Sequence, residues 1–227
     1  MESLSGRLEA IREQIRQACA DAGRETSGIC LMAVSKTRSA AEVAGLHRLG
    51  ITDFGENYLQ EALGKIDALA GTGIHWHFIG PLQSNKTREV AARFDWVHSV
   101  DRLKLAKRLS EQRPQGRPPL NICIQVNVDA EPQKAGVRLE DVPALAAAIQ
   151  ALPGLRLRGL MAIPQADSAD HNRAAFRRLA MTLSQLRNTI GDLDTLSMGM
   201  SDDFPTAIAE GATIIRLGTA LFGPRPG

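Results

Sequence analysis

Apolar positions recur along the chain in two alternating rhythms. Leu4, Leu8, Ile11, Ile15, Ala18 and Cys19 fall at helical spacing, which predicts an opening amphipathic helix with Gly23 as its stop. A short, unbroken apolar run follows at 29–36, partly β-branched, starting after Gly28 and ending in Ser35-Lys36. Such a run fits a strand buried on both faces, as in a parallel sheet. Val43, Leu46 and Leu49 then mark one side of a helix at 40–49 that Gly50 ends. The same order repeats to the end of the chain. Strands are predicted at 51–55, 74–79, 96–100, 120–128, 155–161, 195–198 and 213–217. Helices lie between them at about 58–70, 84–92, 101–111, 140–152, 170–190 and 202–210. Residues 113–119 and 129–136 read as loops.

Eight strands, each followed by a helix or by the short tail, imply parallel pairing with right-handed crossovers. At 227 residues this suits one (β/α)8 barrel of the TIM type with an extra N-terminal helix, a single domain over 1–227. An open doubly wound sheet is the alternative for the same pattern.

Composition narrows the partners. The net charge of +2 gives no bulk electrostatic case for nucleic acid or a membrane surface. No apolar run is long enough to span a bilayer, and the N-terminus has no signal-peptide pattern. Cys19, Cys30 and Cys123 are far apart and sit in apolar surroundings, so no disulfide framework is expected and a reducing cytoplasm fits best.

A barrel gathers the C-terminal ends of its strands at one mouth. Those ends supply Lys36, Gly55-Glu56-Asn57, Gly80, His98-Ser99, Asn127, Met161, Met198-Gly199 and Gly218-Thr219. Lys36 reads in two ways: an amine kept usable for Schiff-base chemistry by apolar neighbours, or a lysine leaving the core for solvent. Gly218 and Thr219 follow the last strand, where backbone N–H groups can cradle an anion, and barrels often bind phosphate in their last two loops. Ser201, in the loop after the seventh strand, either gives its hydroxyl to that phosphate or simply caps the helix expected at Asp202. Asp202 and Asp203 are expected to point away from the anion. In a closed barrel the eighth strand adjoins the first, so this anion site neighbours Lys36. One amine beside one phosphate clamp is what pyridoxal 5′-phosphate requires. Arg216 shares a strand face with Gly218 and is placed to meet the pyridine nitrogen. As a permanent donor it would keep that nitrogen unprotonated and weaken the electron sink. The other reading pairs Arg216 with a carboxylate inside the barrel.

Nine motifs then carry a resemblance. They are Ala33-Val34-Ser35-Lys36-Thr37, Phe54-Gly55-Glu56-Asn57-Tyr58, Trp76-His77-Phe78-Ile79-Gly80, Leu82-Gln83-Ser84-Asn85-Lys86 and His98-Ser99-Val100-Asp101, followed by Glu131-Pro132-Gln133-Lys134-Ala135-Gly136, Gly159-Leu160-Met161, Leu196-Ser197-Met198-Gly199-Met200-Ser201 and Arg216-Leu217-Gly218-Thr219. In this order the chain resembles the YggS/PROSC family of pyridoxal phosphate homeostasis proteins over almost its whole length. The resemblance implies a barrel like the N-terminal domain of alanine racemase and an internal aldimine on Lys36. It also implies phosphate held by Ser201, Gly218 and Thr219, the ring nitrogen met by Arg216, and Asn57 near the ring. Met198 belongs to the expected cofactor-binding set. Lys134 resembles the family's mobile-loop lysine, proposed to help transfer or release the cofactor. The implied role is binding and buffering of the cofactor, with transient hand-over to apoenzymes and without an established catalytic reaction; the lack of a racemase-type second domain favours a monomer.

The competing function is an amino-acid racemase, which needs acid/base groups on both faces of the substrate carbon. In alanine racemases the second base is a tyrosine from an additional domain of the partner chain. This sequence stops at Gly227, just after its barrel, and its single tyrosine, Tyr58, reads as a rim or packing residue. A third class, metal-assisted hydrolysis, rests on His75 and His77, two apart on one strand face, with His98 as the remaining imidazole nearby. Their other reading is ring packing and hydrogen bonding within the barrel.

Overall fold

The computed structural model describes residues 3–165 and 168–224. The remaining positions of the expected 1–227 domain lie outside the described residues. Eight parallel strands close in sequence order into a barrel. They are β1 Cys30–Val34, β2 Asp53–Glu56, β3 His75–Phe78, β4 Trp96–Val100, β5 Leu120–Gln125, β6 Leu155–Met161, β7 Thr195–Ser197 and β8 Ile214–Leu217. The open-sheet alternative is excluded by the seam, where β1 pairs with β8 and Met32 lies opposite Arg216.

The helices between them are α2 Ala40–Arg48, α3 Leu59–Ala68, α4 Thr87–Arg93, α5 Leu103–Gln112, α6 Val142–Gln150, α7 Ala169–Ile190 and α8 Phe204–Ala209, with α1 Leu4–Asp21 before β1 and α9 Thr219–Phe222 after β8. Their apolar stripes close onto the outside of the sheet. In α1 these are Leu8, Ile11, Ile15, Ala18 and Cys19, and in α7 Phe176, Leu179, Leu183 and Leu186, all buried. Local chemistry sets the ends. Ser39 and Glu42 form a reciprocal capping box at the start of α2. Ser168 caps α7 through the His171 N–H.

Several boundaries depart from the sequence expectation. The chain turns out of β1 after Val34, so Lys36 lies beyond the strand rather than in it. β5 ends at Gln125 instead of continuing to 128, because the following loop folds back. Val137 N–H donates to Gln125 O, and Asn127 N–H donates to Val137 O. The tail after β8 contains the helix α9. Its carbonyls at Leu221 and Phe222 accept from the Arg7 guanidinium of α1, so the added N-terminal helix braces the last loop of the barrel. Gly159 in β6 is a forced glycine: a Cβ there would stand 1.9 Å from Thr195 O on β7.

Candidate functional site

The turn after β1 is the most constrained part of the mouth. Thr37 has φ of 63°, a left-handed conformation costly for a β-branched residue. It is held there by its N–H donating to Glu61 Oε1 at 2.6 Å. Lys65, one turn further along α3, is buried and donates through Nζ to Ser35 O at 2.6 Å, Glu56 Oε1 at 2.6 Å and Glu61 Oε1 at 2.5 Å. The Ser35 hydroxyl donates to the same Glu56 oxygen at 2.5 Å. Burial raises the Glu56 carboxyl, while the Lys65 and Ser35 hydrogen bonds pull it back. Both neighbours of Lys36 are therefore tied to one buried ionic cluster. Glu61 and Lys65 stand at i,i+4 on α3, a signal present in the sequence, but spacing alone does not tell a surface pair from a buried support.

Lys36 lines a cavity of about 640 Å3 at the C-terminal mouth of the barrel. Asn57, Ser201, Arg216, Gly218 and Thr219 line the same cavity, as do Ile79, Met161 and Ile163. Six of the eight expected cofactor residues are thus brought together from four separate loops and strand ends. Asn57 is held by close backbone packing, since a Cβ on Gly80 would lie 2.2 Å from Asn57 O. Its side-chain Oδ1 is buried with no hydrogen-bond partner. Gly218 is the N-cap of α9 and has no side chain to satisfy the first N–H groups of that helix.

Arg216 is buried beneath this cavity. Nη1 donates to Ser197 O at 2.6 Å and Ser197 Oγ at 2.9 Å, and Nη2 to Ala162 O at 2.9 Å. Burial lowers the guanidinium to about 10. Among the described residues no carboxylate pairs with it directly, which corrects the ion-pair reading.

Other expectations are also corrected. Met198 does not line the cavity; its side chain is wholly buried in the hydrophobic core, and Met200 lines the cavity instead. Lys134 is not brought to the cavity. Its Nζ pairs with Glu131 Oε1 at 2.5 Å within its own loop. Ser201 is not a helix cap, because α8 begins only at Phe204. A turn intervenes in which Asp203 Oδ1 accepts from Met200 N–H at 2.6 Å. Asp203 does not line the cavity, its carboxylate accepting from Asn172 and the Met200 N–H, but Asp202 lines it, against the expectation. Among the described residues no group of three or more His, Cys, Asp and Glu is placed to hold a metal ion, so the metal alternative for His75 and His77 finds no support. The His77 ring faces Asp53 and His98 instead.

A closed barrel of eight parallel strands with helices between them, carrying a lysine and a buried arginine at its C-terminal mouth, has the architecture of the alanine racemase-type barrels. The family model described as alanine racemase, N-terminal domain, matches residues 7–226. The pyridoxal phosphate homeostasis protein of Pseudomonas aeruginosa is 58% identical over 99% of this chain and 97% of its own. That of Escherichia coli is 47% identical over 99% and 98%. The chain belongs to the pyridoxal phosphate homeostasis proteins of the alanine racemase N-terminal domain family. Among solved structures, PipY of Synechococcus elongatus with pyridoxal phosphate bound superposes with a TM-score of 0.85 at 36% identity, covering 97% of this chain and 100% of PipY. Alanine racemase of Corynebacterium glutamicum shares the fold, with a TM-score of 0.67 at 20% identity over 97% of this chain and 62% of its own.

Proposed function

We propose that the mouth cavity binds pyridoxal 5′-phosphate, that Lys36 tethers it, and that the protein serves intracellular homeostasis of this cofactor without turnover of its own. The observation that carries the reading is the meeting of Lys36, Arg216, Ser201, Gly218 and Thr219 around one cavity, with the Asn57 acceptor buried and unpaired beside them. These donors suit the cofactor: an amine for its aldehyde, hydroxyl and N–H donors for its phosphate, and a guanidinium for its ring nitrogen. When bound, the cofactor would supply an aldehyde, and Lys36 Nζ is the amine at the cavity that would hold it. Arg216, which only donates, would face the ring nitrogen and keep it unprotonated, disfavouring electron withdrawal into the ring. PipY, a relative with the cofactor bound, supports the same reading.

The homeostasis role is favoured over racemisation by the cavity lining. A racemase needs acid/base groups on two faces. Among the described residues no tyrosine, histidine or cysteine lines the cavity, and Tyr58 is 57% exposed outside it. The other ionisable lining groups are Asp202 and Arg216. The whole chain acts as one cofactor-binding domain, a monomer that hands the cofactor transiently to apoenzymes. Three free cysteines fit a reducing cytoplasm.

The test is titration of purified protein with pyridoxal phosphate, followed by borohydride reduction and peptide mass mapping. The expected result is yellow protein with the reduced adduct on Lys36, and Lys36→Ala that retains weak binding but no reducible adduct. Colourless protein, or an adduct surviving in Lys36→Ala, would overturn the assignment. A panel of L-amino acids read by chiral chromatography tests the absence of turnover; D-isomer formation well above free cofactor would make it a racemase.

A further inference from the structure

Five polar side chains run through the inside of the barrel from one end to the other. Asp53 Oδ1 lies 3.0 Å from His77 Nε2, His77 Nδ1 lies 2.9 Å from His98 Nε2, and His98 Nδ1 lies 2.9 Å from Ser197 Oγ. The Arg216 Nη1 donation to Ser197 Oγ completes the run. The residues come from β2, β3, β4, β7 and β8. His77, His98, Ser197 and Arg216 are buried, where other barrels pack branched apolar side chains. Asp53 is 19% exposed and opens onto a cavity of about 670 Å3 at the far end, together with His75, Asp95, Trp96 and Arg158.

The two ends dictate one direction for every proton. Burial holds His77 and His98 on the neutral side, so each ring carries one N–H. Asp53 is ionised, held down at about 2: burial raises it, but the His77 and Thr52 hydrogen bonds and the charge interactions with His77 and His75 together outweigh that cost. An ionised carboxylate accepts only, so the His77 proton sits on Nε2 and its Nδ1 accepts. His98 then donates from Nε2 and accepts at Nδ1. The Ser197 hydroxyl donates to that Nδ1, which leaves Oγ as the acceptor for Arg216, a group that only donates. The reverse direction would set a bare His77 lone pair against the Asp53 carboxylate. Every polar contact in the run is satisfied in one arrangement only, and aligned bonds of this kind polarise one another in a low-dielectric interior.

We propose that Asp53, His77, His98 and Ser197 are positioning residues for Arg216, a one-way hydrogen-bond chain that fixes the orientation of the guanidinium beneath the mouth cavity. Its consequence for ligand binding rests on the reading of that cavity as a pyridoxal phosphate site; the positioning itself does not.

The experiment uses 15N-labelled protein, first without cofactor. Long-range 15N–1H spectra report which ring nitrogen carries each proton, and the guanidinium signals report rotation of Arg216. Wild type is expected to show both His77 and His98 as Nε2–H, with slow Arg216 rotation. Ser197→Ala and Asp53→Leu are expected to speed that rotation about tenfold, equivalent to one hydrogen bond to a charged group at about 1.4 kcal/mol. Asp53→Leu is the sharper case, because Asp53 does not touch Arg216. His75→Gln, which alters a neighbour of Asp53 outside the chain, should leave both signals unchanged. A wild-type proton on His98 Nδ1, or unchanged rotation in both variants, would overturn the proposal. Pyridoxal phosphate is then added. Ser197→Ala and Asp53→Leu should bind it about tenfold more weakly, with a shifted absorption band. Unchanged affinity and band in both, with wild type loaded, would also overturn it. If wild type binds no cofactor, the cavity reading fails by itself, and the cofactor-free spectra still decide the positioning role.

Discussion

Replacing Lys65 with methionine removes the one cation from a buried cluster while keeping a side chain of similar length. In the native protein Lys65 is 4% exposed and Glu56 0%, and Nζ bonds to Ser35 O, Glu56 and Glu61. The variant leaves Glu56 charged, buried and facing only the Ser35 hydroxyl, since its second oxygen has no partner. Breaking one partner of such a pair costs about 3–5 kcal/mol. For a chain of this size, with about 2–4 °C per kcal/mol, the midpoint of thermal unfolding should fall by about 6–20 °C. The loss should depend on pH in a definite sense. Glu56 is already raised in the folded state, and without Lys65 it rises further. A carboxyl raised on folding stabilises fully below its unfolded value, and that contribution is lost as pH rises through the folded value. The deficit of Lys65→Met should therefore be smaller at about pH 5 than at about pH 8. Denaturant unfolding at several pH values measures it. Adding Glu56→Gln should recover most of the stability, because the uncompensated charge is gone. A deficit that does not vary with pH, or a double variant no more stable than Lys65→Met, would refute the reasoning. The same change removes the Lys65 bond to Ser35 O and the cation that steadies Glu61 against the Thr37 N–H, so adduct formation at Lys36 should slow as well.

Two further outcomes follow from packing. Gly159→Ala places a Cβ against the Thr195 backbone, which cannot move aside without parting β6 from β7; thermal unfolding should show a loss of at least about 3 kcal/mol. Cys30 is pushed up to about 12 by burial and by the nearby Asp53 charge, and burial raises Cys123 further. Neither should react with iodoacetamide in the native protein at about pH 7.5, and both should react in guanidinium; labelling of either in the folded state would contradict this environment.

The alternating run of strands and helices was enough to predict the barrel, since the order of apolar runs and breaks carries the topology even where single boundaries, such as the end of β5, shift. Strand order then placed Lys36 beside Gly218 and Thr219, because closure must bring β8 to β1. Strand ends and the loop after β7 likewise placed Asn57, Ser201 and Arg216 at this mouth, and the motif series gave them their implied roles. The turn before α8 was not legible: Ser201-Asp202-Asp203 reads as a capping sequence, and only the Asp203 bond to the Met200 N–H delays the helix. Nor was the fate of Met198 and Lys134. Alternate residues of a strand face opposite sides, and a loop lysine reaches many places; Glu131 decides where Lys134 stays.

The sequence by itself determined the architecture and the amine at its mouth, through local periodicity and the topological rule that strand ends of a barrel converge. Only the tertiary structure decided what fills the barrel. Asp53, His77, His98, Ser197 and Arg216 lie on five strands spread along most of the chain. In a parallel sheet both faces are buried, so period and polarity do not say that these five share the interior. Closure puts them within hydrogen-bond reach, and the burial of His77, His98, Ser197 and Arg216 makes their order a matter of proton position.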